Sequence, residues 1–226
     1  MGIKERHERD REAVRRAILD AARELFVTEG YGNVSIRKIA ERIEYSPAAI
    51  YSYFPSKDDI FFALADEGFS RLGEVAHRDA EQLEALGPLE RLREAAWRLY
   101  QFSCDHPQYF ALMFVDRSVP RVSRSYECFT SARALRDEFL GHIQACITAG
   151  EFPAGTPLPA AFRLLTVGLL GVAAMRVSDR LGDGEDPDAL ARDVLNVTIA
   201  GLRSGIPLSS QAFTCPLDPP AEAQAS

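Results

Sequence analysis

The residues best suited to chemistry in this sequence lie close together, between Ser35 and Tyr53. Arg37 carries a planar guanidinium that can donate two parallel hydrogen bonds to O6 and N7 of guanine. Ser35 and Ser46 each stand where a helix is predicted to begin, so their hydroxyls and the neighbouring backbone amides suit a phosphate oxygen. Tyr51 and Tyr53 present phenolic hydroxyls a few residues later. Together these groups predict contact with a nucleic acid.

The same stretch also contains three small residues, Pro47, Ala48 and Ala49. Their size lets a helix sit close to base edges, and an alanine methyl can contact the methyl group of thymine. Ser52 is a further polar candidate in this stretch, and Lys57 is placed to take a phosphate. Two aspartates follow Lys57 directly, and they limit its electrostatic field.

Each candidate also has an ordinary structural interpretation. Arg37 can be a solvated surface arginine, and Tyr51 can pack beside Ile50. Ser35 and Ser46 can be helix caps alone, but capping and phosphate contact are compatible because both use the start of a helix.

Two short helices and a tight turn are predicted to position these groups. The first helix is indicated by an apolar stripe at i, i+3, i+4 and i+7: Ile36, Ile39, Ala40 and Ile43. Ser46 followed by Pro47 predicts the start of the second helix, since serine caps helices and proline suits the first helical position. Ile50 and Phe54 point inward at i, i+4, and Pro55 ends the helix. This is a helix-turn-helix whose second helix can enter a DNA major groove.

Helices are also predicted on both sides of this motif. Before it, residues 1–10 form a charged arm, and a helix follows with a stripe of Val14, Ile18, Ala21, Ala22, Leu25 and Phe26. After it, Ser56 with Asp59 three residues later predicts a fourth helix from Lys57. Residues 11–56 are therefore expected to form the DNA-binding unit.

The rest of the chain predicts a larger helical domain over residues 57–205. Helices are expected from about residue 89, over 122–149, 159–181 and 187–203, with a short aromatic segment at 109–114. Residues 206–226 are rich in Pro, Ser, Ala and Gln and are predicted to be disordered. No strand pattern is convincing, so the predicted fold class is all-α.

Charge narrows the possible partners. Net charge is −7, yet residues 1–62 carry 11 Lys or Arg and 11 Asp or Glu, so the acidic excess lies in the rest of the chain. The DNA-binding unit is neutral, and DNA binding must come from a few placed groups.

Other function classes receive no support from the sequence. The four cysteines, at 104, 128, 146 and 215, form no close pair and are expected to be free thiols in the cytoplasm. The apolar run Leu164–Met175 is shorter than the ~20 residues that cross a bilayer. No metal-ligand spacing, cofactor motif or catalytic set is recognised, so no enzyme activity is predicted.

The first helix and the helix-turn-helix resemble the TetR family of bacterial transcriptional regulators over about residues 12–65. The matching positions are Ser35, Ile39-Ala40, Ser46, Ile50-Tyr51-Ser52-Tyr53-Phe54 and Ser56-Lys57. The chain departs from the family in the turn, where Glu44-Tyr45 replaces the usual Gly-Val. If Glu44 keeps a left-handed conformation, it costs roughly 1 kcal/mol over glycine.

The resemblance implies a repressor that binds a palindromic double-stranded operator as a homodimer and is released by a small effector. It implies base or phosphate contact at Tyr51 and Tyr53, and an effector pocket among the middle helices. Candidates for the pocket are the aromatic and sulfur-bearing residues, which suit an apolar or aromatic ligand: Trp97, Tyr100, Phe102, Phe110, Met113, Phe114, Phe129, Phe139 and Met175. Any one of them is more often a core residue.

The last two predicted helices are expected to form the dimer surface as a four-helix bundle. The residues predicted for it are mostly apolar: Leu165, Leu169, Val172, Met175 and Arg176 on one helix and Leu190, Val194, Val197 and Leu202 on the other. Gly168 and Gly171 permit close approach of the backbone. Two alternatives stay open: a sequence-indifferent DNA-binding protein, and a helical carrier or enzyme that keeps the DNA-binding unit as a relic.

Overall fold

The computed structural model describes residues 3–120 and 130–208, and over these residues the chain is helical and has no strand. Ten α-helices are described: α1 (Ile3–Glu29), α2 (Ile36–Arg42), α3 (Pro47–Tyr51), α4 (Lys57–Ala76), α5 (Ala80–Glu84), α6 (Pro88–Asp105), α7 (Pro107–Phe110), α8 (Thr130–Thr148), α9 (Leu158–Val177) and α10 (Pro187–Arg203). A 3-10 turn, Tyr31–Asn33, follows α1, and a π-helical turn, Ala111–Val115, follows α7. The predicted all-α fold is confirmed.

Helices α1, α2 and α3 form a small N-terminal unit, called the head below, which rests on the first turns of α4. Its centre contains side chains from all four helices: Phe26, Ile39, Ile50, Ile60 and Phe61 are each 1% exposed or less. The stripes at i, i+3 and i+4 therefore face inward as predicted, and they fix which sides of α2 and α3 remain outside.

Helices α4, α6, α8 and α9 pack together in the larger domain, and α10 packs on α9. Leu92, Phe102, Ile143 and Leu169 lie at its centre with no exposed surface. The buried apolar residues of this domain and of the head form one continuous cluster. The head thus rests on the larger domain through packed side chains, mainly those of α1 and α4.

Helix α1 is longer than the sequence pattern predicted. It begins at Ile3, so residues 3–10, expected to be an arm, form its first turns. Five of these eight residues are Lys, Glu or Arg, which have high helix propensity. The Arg9 Nε also donates to the Glu5 carbonyl at 3.3 Å. The helix therefore extends eight residues, or about 12 Å, beyond the predicted start.

Helix α9 differs from the sequence-based expectation that no segment is long enough to cross a membrane. It has 20 residues, and by length and composition alone it is long and apolar enough to cross a membrane. Leu165, Leu169 and Val172 on this helix are buried inside the protomer. Because α9 packs against α6, α8 and α10, its apolar composition has an explanation as a core helix.

The segment from α7 to Ser118 attaches the larger domain to the head. The Tyr109 hydroxyl accepts a hydrogen bond from the Arg23 guanidinium of α1 at 2.8 Å. After the π-helical turn, the Asp116 carboxylate accepts the Tyr31 amide at 3.1 Å, and the Ser118 hydroxyl accepts the Gly32 amide at 3.1 Å. These bonds hold the turn that leads directly into α2.

Candidate nucleic-acid interface

The two helices of the motif begin at the predicted serines. The Ser35 hydroxyl accepts the Lys38 amide at 3.3 Å, and the Ser46 hydroxyl accepts the Ala49 amide at 3.2 Å. Pro47 occupies the first turn of α3. Capping is therefore confirmed for both serines, and phosphate contact stays a prediction.

Helix α3 has one buried side and one exposed side. Ile50 is fully buried, whereas Tyr51 is 54% exposed. The remaining candidates on the outer side are small: Pro47, Ala48 and Ser52 are exposed and Ala49 is half-buried. The Ser52 hydroxyl donates to the Ala49 carbonyl at 2.6 Å, which closes the end of the helix. A base edge can therefore approach the α3 backbone closely, with Tyr51 beside it.

Arg37 projects from α2 with 81% of its side chain exposed, and its Nε donates to the Glu41 carboxylate at 2.9 Å. An exposed pair of this kind contributes about 0–1 kcal/mol. A guanine or a phosphate can therefore displace Glu41 at little cost. The outward orientation is as predicted, and base contact stays a prediction.

Lys57 has a structural role that the sequence did not predict. Its ammonium donates to the carbonyls of Tyr31 at 2.8 Å and Val34 at 2.9 Å, and it lies 4.0 Å from the centre of the Tyr31 ring. The Tyr31 hydroxyl is bonded to the Asp58 carboxylate. Burial and this carboxylate raise the pKa of Tyr31. Two of the three N–H donors of Lys57 thus hold the turn before α2, which leaves one for a phosphate.

The turn between α2 and α3 keeps the left-handed residue that the motif requires. Glu44 has φ 59°, and the next amide, of Tyr45, donates to the Ala40 carbonyl at 2.9 Å. The structure therefore retains the turn geometry with glutamate at the position where glycine is usual, at a cost of roughly 1 kcal/mol.

Most cations of the head are bound by carboxylates. Arg37 pairs with Glu41, Lys38 with Glu29, and Arg42 with Glu24. The sequence did not single out Arg11, whose guanidinium lies 5.8 Å from the centre of the half-buried Tyr53 ring. Its spacing could have drawn attention to it, because Arg11 and Arg15 are four residues apart and therefore share one side of α1.

The predicted effector residues are mostly packed side chains. Tyr100, Phe102 and Phe110 are at most 1% exposed, and Trp97, Met113 and Phe139 are half-buried. The two most exposed candidates are Phe114 at 38% and Met175 at 40%. Phe129 lies outside the described residues.

The structure brings some of these candidates together in pairs. The Trp97 and Tyr100 rings have centres 4.9 Å apart, and the Phe110 and Phe114 rings 5.2 Å. Phe139 pairs with Phe162, which was not predicted, at 5.4 Å. One open cleft of about 410 Å³ lies between α1, α2 and α7, and none of the predicted effector residues lines it. The effector site stays a prediction.

Polar groups surround the Trp97–Tyr100 pair. The Tyr100 hydroxyl donates to the Asp188 carboxylate at 2.7 Å, and burial and this bond raise the pKa of Tyr100. The Arg192 guanidinium lies 4.3 Å from the Trp97 ring centre. Arg176 donates to the Ser103 carbonyl. These bonds join α6 to α9 and α10.

The predicted dimer residues need a correction. Leu165, Leu169, Val172 and Leu202 are each at most 5% exposed inside the protomer, so they cannot meet a second chain. The side of α9 and α10 that faces out contains Leu164, Val167 and Met175, which are 40–52% exposed, and Val197 at 72%. Gly168 does permit a close approach, but to Val194 of the same protomer, whose Cγ1 would be 2.5 Å from an added Cβ.

A capped, outward-facing α3 after a left-handed turn defines a helix-turn-helix transcriptional regulator, and comparisons with known proteins agree. Residues 18–64 match the model for bacterial regulatory proteins of the tetR family. Residues 92–198 match the tetracyclin repressor-like C-terminal domain. The chain belongs to the TetR family, whose members are ligand-responsive regulators that bind DNA and form dimers.

Individual relatives are similar over different lengths. The chain is 43% identical to the HTH-type transcriptional repressor Rv1474c of Mycobacterium tuberculosis over 67 residues, which are 30% of this chain and 36% of that protein. It is 26% identical to the HTH-type transcriptional repressor AcnR of Corynebacterium diphtheriae over 85% of this chain and 93% of that protein.

A solved structure with the same fold is the transcriptional regulator FadR from Bacillus subtilis, in complex with stearoyl-CoA. Its TM-score is 0.64 at 21% identity, over 82% of this chain and 97% of that one. The likeness therefore extends through both the head and the larger domain.

Proposed function

We propose that this protein is a homodimeric repressor that binds a palindromic operator through α2 and α3 and is released by a small effector in its larger domain. The observation that carries the proposal is the outer side of α3, where small residues and Tyr51 are exposed opposite the fully buried Ile50. A helix with that surface fits against base edges in the major groove. Two further observations support the proposal. Residues 3–120 and 130–208 are helical and contain no strand. The Corynebacterium diphtheriae protein AcnR, similar over 85% of this chain and 93% of its own length, is named a repressor.

Specific recognition in this proposal rests on few groups. Arg37 reads a base or phosphate once it leaves Glu41, the amides at Ser35 and Ser46 face phosphates, and Tyr51 and Tyr53 contact the end of the site. Because the head is neutral overall, binding to arbitrary duplex is expected to be weak. The small residues Pro47, Ala48, Ala49 and Ser52 permit the approach, and Lys57 supplies one remaining donor.

The test replaces two of these groups at once. Arg37→Ala combined with Tyr53→Phe is expected to weaken binding to an operator selected from a random pool by roughly 10–100-fold, at about 1–3 kcal/mol for a good base contact. Helicity and dimer mass are expected to stay unchanged. Arg133→Ala, an exposed arginine of α8, is the matched control and should leave affinity unaltered. Unchanged affinity in the double variant would contradict the assignment of the reading surface.

The dimer is proposed to form through the outward sides of α9 and α10. Exposed Leu164, Val167, Met175 and Val197 lie on these two helices, and an apolar surface of that kind calls for a partner. Gly171, with no atom within 4 Å of an added Cβ among the described residues, leaves room for the partner helix. Two heads held one DNA turn apart, ~34–36 Å, then match the halves of a palindrome.

The effector is proposed to be apolar or aromatic and to bind among Trp97, Tyr100, Phe110, Met113, Phe114, Phe129, Phe139 and Met175. These side chains are largely packed, so a ligand must favour a conformation in which they separate, and the head spacing changes with it. Trp97 is the single tryptophan, so its fluorescence reports events at this place. A compound that shifts this fluorescence should also release the operator, whereas a fluorescence change without release would contradict the coupling. As a DNA-binding regulator, the protein is proposed to act in the cytoplasm.

A further inference from the structure

A basic residue of α1 lies next to the C-terminal end of α3, the helix proposed to read DNA. Arg11 is exposed on the third turn of α1, and its guanidinium lies 5.8 Å from the centre of the Tyr53 ring, two residues beyond the end of α3. One turn later, the Arg15 guanidinium lies 5.3 Å from the centre of the Phe54 ring. Helix α1 therefore runs alongside the place where α3 ends.

Arg11 differs in its pairing from the three cations of α2 and from Arg15 of α1. Arg37, Lys38 and Arg42 are each bound by a carboxylate. Arg15 lies 3.7 Å from Glu12. Within residues 3–120 and 130–208, no carboxylate lies within 4 Å of the Arg11 guanidinium. An anion can therefore bind Arg11 without first displacing an internal partner.

The charge around Arg11 also favours an anion. Residues 3–16 contain six Lys or Arg and four Asp or Glu, whereas residues 1–62 together contain 11 of each. The first turns of α1 thus have a local excess of positive charge, and two of these arginines, Arg11 and Arg15, lie beside the residues that follow α3. Phosphates outside the bases that α3 reaches are the anions that would meet it.

We propose that Arg11, held on the Tyr53 ring, binds a DNA backbone phosphate at the outer edge of each half-site. The proposal rests on the proposed function, in which α3 reads DNA. An arginine that stacks on an aromatic ring is restricted before it meets its ligand, and its planar group donates two hydrogen bonds to a phosphate. The ring of Tyr53 orients Arg11, and its hydroxyl is a second donor for the same phosphate. Arg11 supplies affinity and not sequence preference.

The test is the salt dependence of binding. In a dimer, Arg11→Gln removes two phosphate contacts, so the slope of log K against log salt is expected to fall by about 1.8. The loss of affinity should then be about ten-fold larger at 50 mM than at 200 mM salt. It should be equal for a duplex selected from a random pool and for a scrambled duplex of the same length.

Arg9→Gln is the matched control. It removes the same charge from the same helix, but Arg9 is two residues from Arg11 and therefore about 200° around α1. It should change the slope much less than Arg11→Gln. Equal slopes for both variants would show that bulk charge acts alone, and an unchanged slope for Arg11→Gln would overturn the phosphate contact.

Two variants of Tyr53 distinguish the contribution of its ring to DNA affinity from that of its hydroxyl. Tyr53→Phe keeps the ring under Arg11, whereas Tyr53→Leu removes it. When Arg11→Gln is combined with Tyr53→Leu, the loss should be smaller than the product of the two single losses, because the groups act together. Independent effects would contradict the role of the ring.

The role of Arg11 and the sequence preference of α3 are tested by different measurements. If the protein shows no preference for the selected duplex, the proposed function is contradicted, and the salt slopes on either duplex still decide the role of Arg11. Circular dichroism and the mass of the dimer show that each variant folds and assembles.

Discussion

Helix α3 and the aromatic residues of the larger domain were both predicted as binding surfaces, and they differ in exposure. On α3, Ile50 is buried and Tyr51 is 54% exposed, so one side of the helix is open to a partner. In the larger domain, Tyr100 and Phe110 are at most 1% exposed, so the predicted binding residues are packed against one another and the core. The head thus presents an exposed surface, whereas the proposed effector residues would have to separate to admit a ligand.

The difference in exposure arises because side-chain orientation is determined locally on α3 but by distant packing in the larger domain. Exposure on α3 depends on a local pattern, because a capped helix with two apolar residues at i, i+4 has only one possible inner side. Exposure of an aromatic residue in the larger domain depends on which of four neighbouring helices it meets. This contrast fits the proposed regulator, in which a ligand separates packed side chains of the larger domain and changes the spacing of the two heads.

The largest expected effect is a loss of stability when a packed aromatic side chain of the larger domain is removed. Phe110→Ala removes a fully buried ring and should lower the free energy of unfolding by about 3–5 kcal/mol. Phe114→Ala, one turn later and 38% exposed, should cost clearly less. Urea denaturation at a fixed protein concentration measures both. Equal costs would show that the described packing of the aromatic segment is wrong.

The next effect concerns the outward sides of α9 and α10. Val197→Asp places a charge on a side chain that is 72% exposed in the protomer, and it should convert the dimer to a monomer. Operator affinity should then fall roughly 100-fold or more, since the second head no longer benefits from the first. The same substitution at Val27, an exposed residue of α1, is the control and should leave the dimer intact. Light scattering gives the mass, and a dimeric Val197→Asp variant would contradict the proposed surface.

A smaller effect is expected in the turn of the motif. Glu44→Gly relieves the left-handed conformation at φ 59° and should stabilise the protein by about 1 kcal/mol. Glu41→Gly, in the helical part of α2, should instead destabilise by about 1 kcal/mol. Thermal melts of the two variants compare the signs directly. Destabilisation by Glu44→Gly would show that this side chain stabilises the turn in a way the structure does not show.

The smallest expected effect is a pH-dependent change in stability at Asp116, which connects the larger domain to the head. Burial alone would raise the pKa of Asp116, but hydrogen bonds from Ser118 and from the Tyr31 amide lower it below the usual 3.8. A lowered pKa contributes stability above the unfolded value, and this is lost as pH falls through the folded value. Asp116→Asn should therefore destabilise at pH 7 and have less effect near pH 3. Hydrogen exchange of the Tyr31 amide at both values measures this, and an equal change at both would contradict the charge-dependent role.

Local signals made the motif and the starts of its serine-capped helices predictable from the sequence. Ser35, Ser46 and Ser56 cap the helices at which they were predicted, and α10 covers the predicted 187–203. Signals that depend on distant partners were not predictable. Lys57 follows an N-cap serine and was predicted to be open to phosphate, yet it bonds two carbonyls of a turn 23–26 residues earlier.

The surface proposed for dimerisation shows the same limit on α9. Leu164 and Leu165 are adjacent and equally apolar, so composition does not reveal which one faces the core. In the structure Leu165 is 1% exposed and Leu164 is 40% exposed. The sequence therefore predicts α9 as a helix, but which of its sides faces outward depends on its packing on α6, α8 and α10. The extension of α1 and the position of Arg11 on the Tyr53 ring were likewise not predictable from the sequence.

The proposal that the outer side of α3 reads a particular DNA sequence can be tested directly by fluorescence anisotropy. The full chain is titrated with a palindrome selected from a random pool and with a scrambled duplex, at one salt concentration. We expect a preference of at least about 1,000-fold for the palindrome, the lower end of the range for specific DNA-binding proteins. Tyr51→Ala and Arg37→Ala should reduce this preference while the protein remains folded. Equal affinity for the two duplexes would contradict sequence reading by α3 and favour a sequence-indifferent DNA-binding protein.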